Sequence, residues 1–208
     1  MDLFLCGPQA RFPSPPELEE QRKILLQHRG LYEYLENTLK DLSRLLRQLS
    51  AFDGTLKRVV SASSALVELL SQWLGTGDLS LPTETLPNVV ALPFTVLLQI
   101  ALYLKHINTA DGSCYRQTIQ SLGHHGVQGF CTGFLTAAAI NFSRNEEQLA
   151  EYTAISLRLA MCIGAYIDHN TLYGEKSSPA CTLSVRWSEG KFSKSELESL
   201  LALYKHVS

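Results

Sequence analysis

A cysteine stands between two glycines in the segment Gly129-Phe130-Cys131-Thr132-Gly133, and this spacing is typical of a nucleophile on a strand-to-helix elbow. Such a turn is so tight that the nucleophile takes a strained backbone conformation, and flanking glycines remove side chains that would clash. The dipole at a helix N-terminus favours the thiolate form. We therefore predict that Cys131 is a nucleophile. The alternative is a buried cysteine in an ordinary tight turn.

A thiol that attacks an acyl group needs two hydrogen-bond donors for the oxyanion that develops. The backbone N–H of Thr132, directly after Cys131, is placed to supply one of them. The segment "GPQ" (7–9) directly follows the first apolar segment and is where a second backbone N–H could come from, although by itself it is typical of a plain turn.

No histidine near Cys131 in the sequence is placed to act as its general base. His124 and His125 precede it by a few residues. A strand rises about 3.3 Å per residue, so His125 would lie roughly 20 Å below the thiol. That distance is far beyond hydrogen-bond reach, and we interpret both histidines as loop or strand-entry residues.

The elements that must position Cys131 form a helix-dominated α/β pattern. Short strands are predicted at "LFLC" (3–6), "GVQGF" (126–130) and "CTLSVRW" (181–187). Leucines recur three and four residues apart from Leu31 to Leu49, which predicts a helix with one apolar face. Helices are predicted over about 17–75, over 89–105 beginning near Pro93, from 132 onward, after a capping box of Ser143 with Glu146, and after a second one of Ser193 with Glu196.

Length, composition and charge exclude several classes of protein. The 208 residues are 45% hydrophobic and 18% charged, which fits one globular domain. A formal net charge of −2 gives no electrostatic footprint for nucleic acid. The chain has no CxxC pair and its six histidines are dispersed, so we expect no metal site.

Cysteine usage and hydropathy indicate the compartment. Five cysteines at irregular spacing argue against a disulfide framework and for a reducing, cytoplasmic location. The N-terminus lacks the basic and long apolar regions of a signal peptide. The longest apolar segment (89–104) holds Pro93, Thr95 and Gln99. We expect it to be too short and too interrupted to span a membrane, and to form a buried helix instead.

Three parts of the chain resemble the starter-unit acyltransferase (SAT) domain of fungal non-reducing polyketide synthases, which is similar to malonyl-CoA:ACP transacylases with Cys in place of Ser. "LFLCGPQ" (3–9) resembles the family's opening strand and Gly-Asp-Gln turn. "GFCTGFLTAAAINFSRN" (129–145) resembles its elbow, small-residue helix and Ser-rich turn, and is the most specific part. "AISLRLAMCIGAYID" (154–168) with "CTLSVRWSEGKFSKSELESLLALY" (181–204) resembles the next helix, strand and helix.

The resemblance implies a fold, a reaction and site residues. The fold is a partial acyltransferase fold in one domain, with a helix-rich, α/β-hydrolase-like core over 1–175 and the start of a ferredoxin-like small subdomain over 176–208. The reaction moves a starter acyl group from a CoA or carrier-protein thioester to the acyl carrier protein of a polyketide synthase, with no cofactor. Cys131 matches the nucleophile, and Gln9 and Thr132 match the oxyanion-hole positions.

Some positions depart from the family's pattern. Its general base is a His in a downstream segment that this chain does not reach, and the surroundings of His206 do not match. We therefore expect a C-terminally truncated domain without the later core strands. Pro8 and Ala10 replace the family's Asp and Thr in the turn. Cys162 lies near where related transacylases keep an Arg, which argues against a malonyl-type substrate, and we interpret nearby Arg158 as a solvated or capping residue.

These departures leave two other hypotheses beside catalysis. The chain would be a non-catalytic accessory protein that binds a synthase or carrier protein, or a degenerate fragment without activity. The missing base and strands motivate both hypotheses, whereas the intact Gly-x-Cys-x-Gly motif motivates acyl transfer.

Overall fold

The structure of the chain is a computed structural model, which describes residues 4–7, 13–78, 86–109 and 127–173. The chain divides into two units after Thr171, and the described elements belong to the first unit, apart from the end of the last helix. The elements are β1 (Phe4–Cys6), α1 (Pro15–Gln27), α2 (Arg29–Phe52), a 3-10 turn (Gly54–Leu56), α3 (Lys57–Thr76), α4 (Asn88–Thr109), β2 (Val127–Gly129), α5 (Gly133–Phe142) and α6 (Glu146–Tyr173). The prediction of an α/β chain dominated by helix is confirmed.

The two predicted strands that lie within the described residues pair in parallel. Phe4 is opposite Val127 and Cys6 is opposite Gly129. Parallel neighbours need a crossover connection, and here the helices α1 to α4 fall between the two strands. The predicted strand over 181–187 and the helix near Ser193 lie outside the described residues. The division of the chain near residue 175 stays a prediction.

The leucine pattern correctly predicts which face of α2 is buried. Five of its leucines have no exposed surface, namely Leu31, Leu35, Leu39, Leu42 and Leu46. The predicted continuous helix is interrupted twice, at His28 and at Asp53. Asp53 Oδ1 accepts a hydrogen bond from the Thr55 backbone N–H at 3.0 Å, so its side chain competes with the helix and begins the 3-10 turn.

Helix α4 is the central helix of the core, as predicted for a buried apolar segment. Its rings pack edge to face with neighbours on two sides: Phe94 against Trp73 at 4.9 Å, and Tyr103 against Phe4 at 5.4 Å. The expectation that this segment is too short for a membrane span is wrong. The segment Asn88–Ile107 has a mean hydropathy of 1.6 and, by its length and composition alone, could cross a membrane. In the folded protein 67% of this segment is buried.

The start of α4 differs from the prediction, because it begins at Asn88 and Pro93 lies inside it. The first N–H groups of a helix have no intrahelical acceptor, and here a carboxylate from α6 accepts their hydrogen bonds. Asp168 accepts hydrogen bonds from the Asn88 and Val89 backbone N–H groups, each at 2.9 Å. The Asn88 side chain donates to the same carboxylate at 2.8 Å.

The predicted capping box of Ser143 with Glu146 is wrong. Ser143 ends α5 instead, and its hydroxyl donates to the Ala139 carbonyl oxygen at 2.6 Å. Asn145 caps α6, since its Oδ1 accepts a hydrogen bond from the Gln148 backbone N–H at 2.8 Å. The cap therefore lies two residues later than the sequence pattern indicates.

Candidate active site

Cys131 occupies the turn between β2 and α5. Its φ angle is 56°, and it is the one residue other than glycine with positive φ in the part of the chain that the structure describes. This left-handed conformation is strained for a residue with a Cβ atom, and such strain concentrates at functional sites. The side chain is exposed. A buried cysteine in an ordinary turn, the alternative raised from the sequence, is therefore wrong.

The two glycines beside Cys131 are required by close backbone contacts. A Cβ atom on Gly129 would lie 2.5 Å from both the Gly133 carbonyl oxygen and the Phe134 Cα. A Cβ atom on Gly133 would overlap the carbonyl group of Cys6 and lie 2.7 Å from the Gly7 nitrogen. Glycine thus lets α5 pack directly on the ends of β1 and β2.

The backbone N–H of Thr132 points from the start of α5 without a hydrogen-bond acceptor among the described residues. The N–H groups that follow are engaged: Gly133 donates to the Phe130 carbonyl and Phe134 to the Cys131 carbonyl, each at 3.0 Å. The Thr132 hydroxyl lies 3.9 Å from the Cys131 sulfur. A free N–H one residue after the thiol is the donor that an oxyanion needs.

The second predicted donor, Gln9, lies outside the described residues, but the end of β1 that leads to it lies against the elbow. The Phe130 N–H donates to the Cys6 carbonyl oxygen at 2.8 Å. Gly7, the next residue, accepts a hydrogen bond from the side chain of Gln99 on α4. Sequence reasoning missed Gln99, although one signal was available: a lone amide in an apolar helix needs a polar partner.

The other two described cysteines differ from Cys131 in burial. Cys6 is 3% exposed, and burial raises its pKa to about 11. Cys162 is half-buried, and burial raises its pKa as well. Cys131 is therefore the exposed thiol among the three described cysteines.

A general base for Cys131 is not found among the described histidines. His28, His106 and His169 make no hydrogen bond to the Cys131 thiol. His124, His125 and His206, which the sequence pattern does not favour as the base, lie outside the described residues. Among those described, no group of three His, Cys, Asp or Glu side chains is arranged to hold a metal ion.

Arg158 lies in the middle of α6 and is half-buried. Of the two predicted roles, capping is therefore wrong, whereas a partly solvated side chain agrees with this exposure. It forms no ion pair with a described residue. Cys162 follows one turn later on the same helix.

The sequence is similar to that of a described family over most of its length. A sequence profile of the family described as "Starter unit:ACP transacylase in aflatoxin biosynthesis" matches residues 22–206. The chain is 37% identical over 191 residues to the non-reducing polyketide synthase esdpA of Penicillium shearii, which covers 90% of this chain. It is 34% identical to the 5-methylorsellinic acid synthase of Aspergillus terreus over 89% of its length, and 33% identical to the synthase dpmpA of Macrophomina phaseolina over 99%.

The chain spans only a small part of these relatives, namely 8%, 7% and 10% of their lengths in the same order. The profile match nevertheless covers most of the chain, including the elbow. The chain belongs to the starter unit:ACP transacylase family.

Proposed function

We propose that this protein loads a starter acyl group onto an acyl carrier protein in fungal polyketide biosynthesis. The observation that carries the proposal is the left-handed turn at Cys131, which holds an exposed thiol beside the free N–H of Thr132. Strain at a nucleophile is costly, and a chain that keeps it with two sterically required glycines uses it for chemistry.

The reaction is two thioester exchanges. The Cys131 thiolate attacks the carbonyl carbon of an acyl thioester, and the carbonyl oxygen becomes an oxyanion stabilised by the N–H groups of Thr132 and Gln9. The C–S bond of the donor breaks and its thiol leaves with a proton from solvent. The thiol of the carrier protein then attacks the acyl-Cys131 thioester, and the Cys131 thiol is regenerated.

The proposed acyl donors are CoA or carrier-protein thioesters without a second carboxylate. Cys162 lies near where related transacylases keep an Arg, so we expect a malonyl group to lack its partner there. We further propose that the protein acts in the cytoplasm. Residues 1–175 would form a hydrolase-like core and 176–208 would begin a small subdomain of the acyltransferase fold.

Intact-protein mass spectrometry tests the proposal directly. The protein is incubated with acyl-CoA thioesters of graded chain length, then with a phosphopantetheinylated carrier protein. We expect an acyl mass on Cys131 with at least one chain length, followed by the same mass on the carrier. Cys131→Ala removes both. Gly30→Ala, which changes an exposed position at the start of α2, is the control and retains both. Absence of any adduct at every chain length would contradict the proposal.

A second candidate function is that of a non-catalytic protein that binds a synthase or carrier protein. It is favoured by one observation, namely that no described histidine makes a hydrogen bond to the Cys131 thiol. It predicts a carrier-protein complex whose affinity is the same in Cys131→Ala as in the natural chain. Titration calorimetry with the carrier protein, run beside the acylation assay, separates the two functions.

A further inference from the structure

Three large apolar side chains are exposed around the turn that holds Cys131. Leu5 on β1 is 66% exposed, Phe130 directly before the thiol is 68% exposed, and Phe134 at the start of α5 is 65% exposed. A single exposed apolar residue is ordinary on a protein surface. Exposed apolar side chains that are grouped together mark interaction sites, and this group surrounds an exposed thiol.

The pairing of the strands places Leu5 and Phe130 on the same face of the sheet. Leu5 is opposite Gln128, and Phe130 follows two residues after Gln128 with its N–H still bonded to the Cys6 carbonyl. Because side chains alternate along a strand, these three lie on the face opposite to that of Phe4 and Cys6. The ring of Phe4 packs on α4 and Cys6 is buried. The face with Leu5 and Phe130 is therefore the one that is open to solvent.

Two overlapping turns fix Phe130 and Phe134 relative to the thiol. The Phe130 carbonyl accepts a hydrogen bond from Gly133 and the Cys131 carbonyl accepts one from Phe134, each at 3.0 Å. The end residues of such a turn have Cα atoms less than about 7 Å apart, which applies to Cys131 and Phe134. The Cα atoms of Phe130 and Cys131 are neighbours at about 3.8 Å. Both rings are therefore attached to backbone that the elbow itself holds in place.

The segments around the thiol carry no charge. Residues 127–142, which run from β2 to the end of α5, include no Asp, Glu, Lys or Arg, and neither do residues 4–7. A carboxylate or ammonium group of a ligand would lose water there without gaining a charged partner from these segments. An alkyl chain would instead gain apolar contact. The chemistry of these segments thus complements a neutral, apolar ligand.

We propose that Leu5, Phe130 and Phe134 form an acyl-binding surface, on which the alkyl chain of a starter group lies while its carbonyl carbon is bonded to the Cys131 sulfur. This inference deepens the proposed acyl transfer and rests on it for the identity of the ligand. The acyl-binding surface selects longer neutral alkyl groups over acetyl, because the single methyl group of acetyl covers little of it.

The test measures how acylation of Cys131 depends on chain length. Rate constants with acetyl-, butyryl-, hexanoyl- and octanoyl-CoA are compared by intact-protein mass spectrometry, with peptide mapping to confirm the site. A fully buried methylene group strengthens binding about fourfold and a half-covered one about twofold. Because hexanoyl is longer than acetyl by about four such groups, we expect it to react about 10- to 20-fold faster.

Phe142→Ala is the matched control for Phe130→Ala and Phe134→Ala. Phe142 is 69% exposed and lies at the other end of α5, so all three substitutions remove the same ring from similarly exposed positions. We expect the hexanoyl-to-acetyl rate ratio to fall below about threefold when Phe130 and Phe134 are both replaced, and to be unchanged in Phe142→Ala. The ratio compares two substrates of one variant, so a general loss of activity does not alter it. An unchanged ratio in the double variant, or an equal fall in Phe142→Ala, would overturn the inference.

Labelling with N-alkylmaleimides tests the acyl-binding surface without acyl transfer, because these reagents add to the thiol directly. After division by the rates with glutathione, N-hexylmaleimide should label Cys131 about 10-fold faster than N-ethylmaleimide. This preference in a protein that never acylates would support the acyl-binding surface and contradict the proposed function. Acylation at a rate independent of chain length would leave the proposed function standing and contradict the acyl-binding surface. Labelling that is independent of chain length but stops when the carrier protein is added would also overturn it, since a protein partner would then cover these side chains.

Discussion

The backbone N–H of Phe130 donates to the carbonyl oxygen of Cys6 at 2.8 Å, which extends the pairing of β1 and β2 one residue beyond Gly129. The backbone pairing of the two strands therefore continues to the residue immediately before Cys131, and the turn begins directly after the last paired residue. Because β1 also ends here, the position of the thiol is tied to that of the chain segment leading to Gln9. The elbow and the end of β1 are one packed unit.

Replacing Gly133 by alanine should break this unit. The added Cβ atom would overlap the Cys6 carbonyl, which is backbone and cannot rotate away. We expect Gly133→Ala to lower the free energy of unfolding by about 1–3 kcal/mol, as overpacking does, and to abolish acylation of Cys131. Urea unfolding and intact-protein mass spectrometry measure the two effects.

Gly30→Ala is the control for this substitution. Gly30 lies in the first turn of α2, and nothing lies within 4 Å of the position that a Cβ atom would occupy there. Alanine favours helix over glycine by up to about 1 kcal/mol, so stability should be unchanged or higher. If Gly133→Ala is as stable as Gly30→Ala, α5 does not pack tightly on the end of β1.

Thiol labelling should separate the described cysteines. Below pH 11 Cys6 remains mostly protonated, because burial raises its pKa to about 11, and at pH 8 only about a thousandth of it is thiolate. We expect iodoacetamide to modify exposed Cys131 first, half-buried Cys162 more slowly, and Cys6 only after unfolding. Peptide mapping after timed pulses gives the order. Native Cys6 reacting as fast as Cys131 would contradict it.

The same raised pKa gives a direction for alkaline stability. The folded state holds the Cys6 proton more tightly than the unfolded state, whose thiol has an ordinary pKa near 9.0. Stability is therefore unaffected by this group below that pKa and falls as pH rises toward about 11. Cys6→Ala removes this part of the alkaline loss, which comparison of urea midpoints at pH 8 and pH 10.5 would detect.

Local patterns in the sequence were sufficient to predict much of the elbow. The spacing of Gly129, Cys131 and Gly133 implies a tight turn. At Gly129 the physical cause is local, because a Cβ atom there would meet Gly133 and Phe134, whereas at Gly133 the clash is with Cys6 and Gly7. The periodicity of leucines likewise predicts the buried face of α2, since burial there depends on one helical repeat. The requirement at Gly129 and the buried face of α2 can therefore be inferred without knowledge of distant contacts.

Contacts between distant residues could not be predicted in this way. The carboxylate that caps the start of α4 belongs to Asp168, 80 residues later in the chain. The local pattern does not contain this contact and instead predicts a start near Pro93. Gln99 was visible only as an interruption in an apolar run, because its partner Gly7 is 92 residues earlier. The Ser143 capping box failed for a different reason: Asn145 offers a competing cap that local rules rank equally.

Removing the Asp168 carboxylate should weaken the start of α4. It accepts three hydrogen bonds from Asn88 and Val89, two of them from N–H groups that have no intrahelical acceptor. We expect Asp168→Ala to cost about 1.5–3 kcal/mol of unfolding free energy, the range for hydrogen bonds to a charged group. Urea unfolding at pH 7 measures this loss.

Asp41→Ala provides the comparison for Asp168→Ala. Asp41 forms an exposed pair with Arg44 at 3.0 Å on one helix, and such surface pairs contribute at most a few tenths of a kcal/mol. Equal effects of the two substitutions would mean that Asp168 stabilises α4 no more than an ordinary surface charge does.

The strain at Cys131 predicts that a substitution which relieves it stabilises the fold, although loss of the thiol abolishes acylation. A left-handed φ of 56° costs a residue with a Cβ atom about 1–2 kcal/mol, whereas glycine adopts it freely but loses about 0.5–1 kcal/mol more chain entropy on folding. Cys131→Gly should therefore be more stable than Cys131→Ala by about 1 kcal/mol, although both lack the thiol and form no acyl adduct. Gly77, which ends α3 with a φ of 82°, gives the reverse comparison. Gly77→Ala should lower the free energy of unfolding by a similar amount. If Cys131→Ala is as stable as Cys131→Gly in urea while Gly77→Ala is destabilised, Cys131 is not strained in solution, and the main structural argument for a nucleophile at this turn is lost.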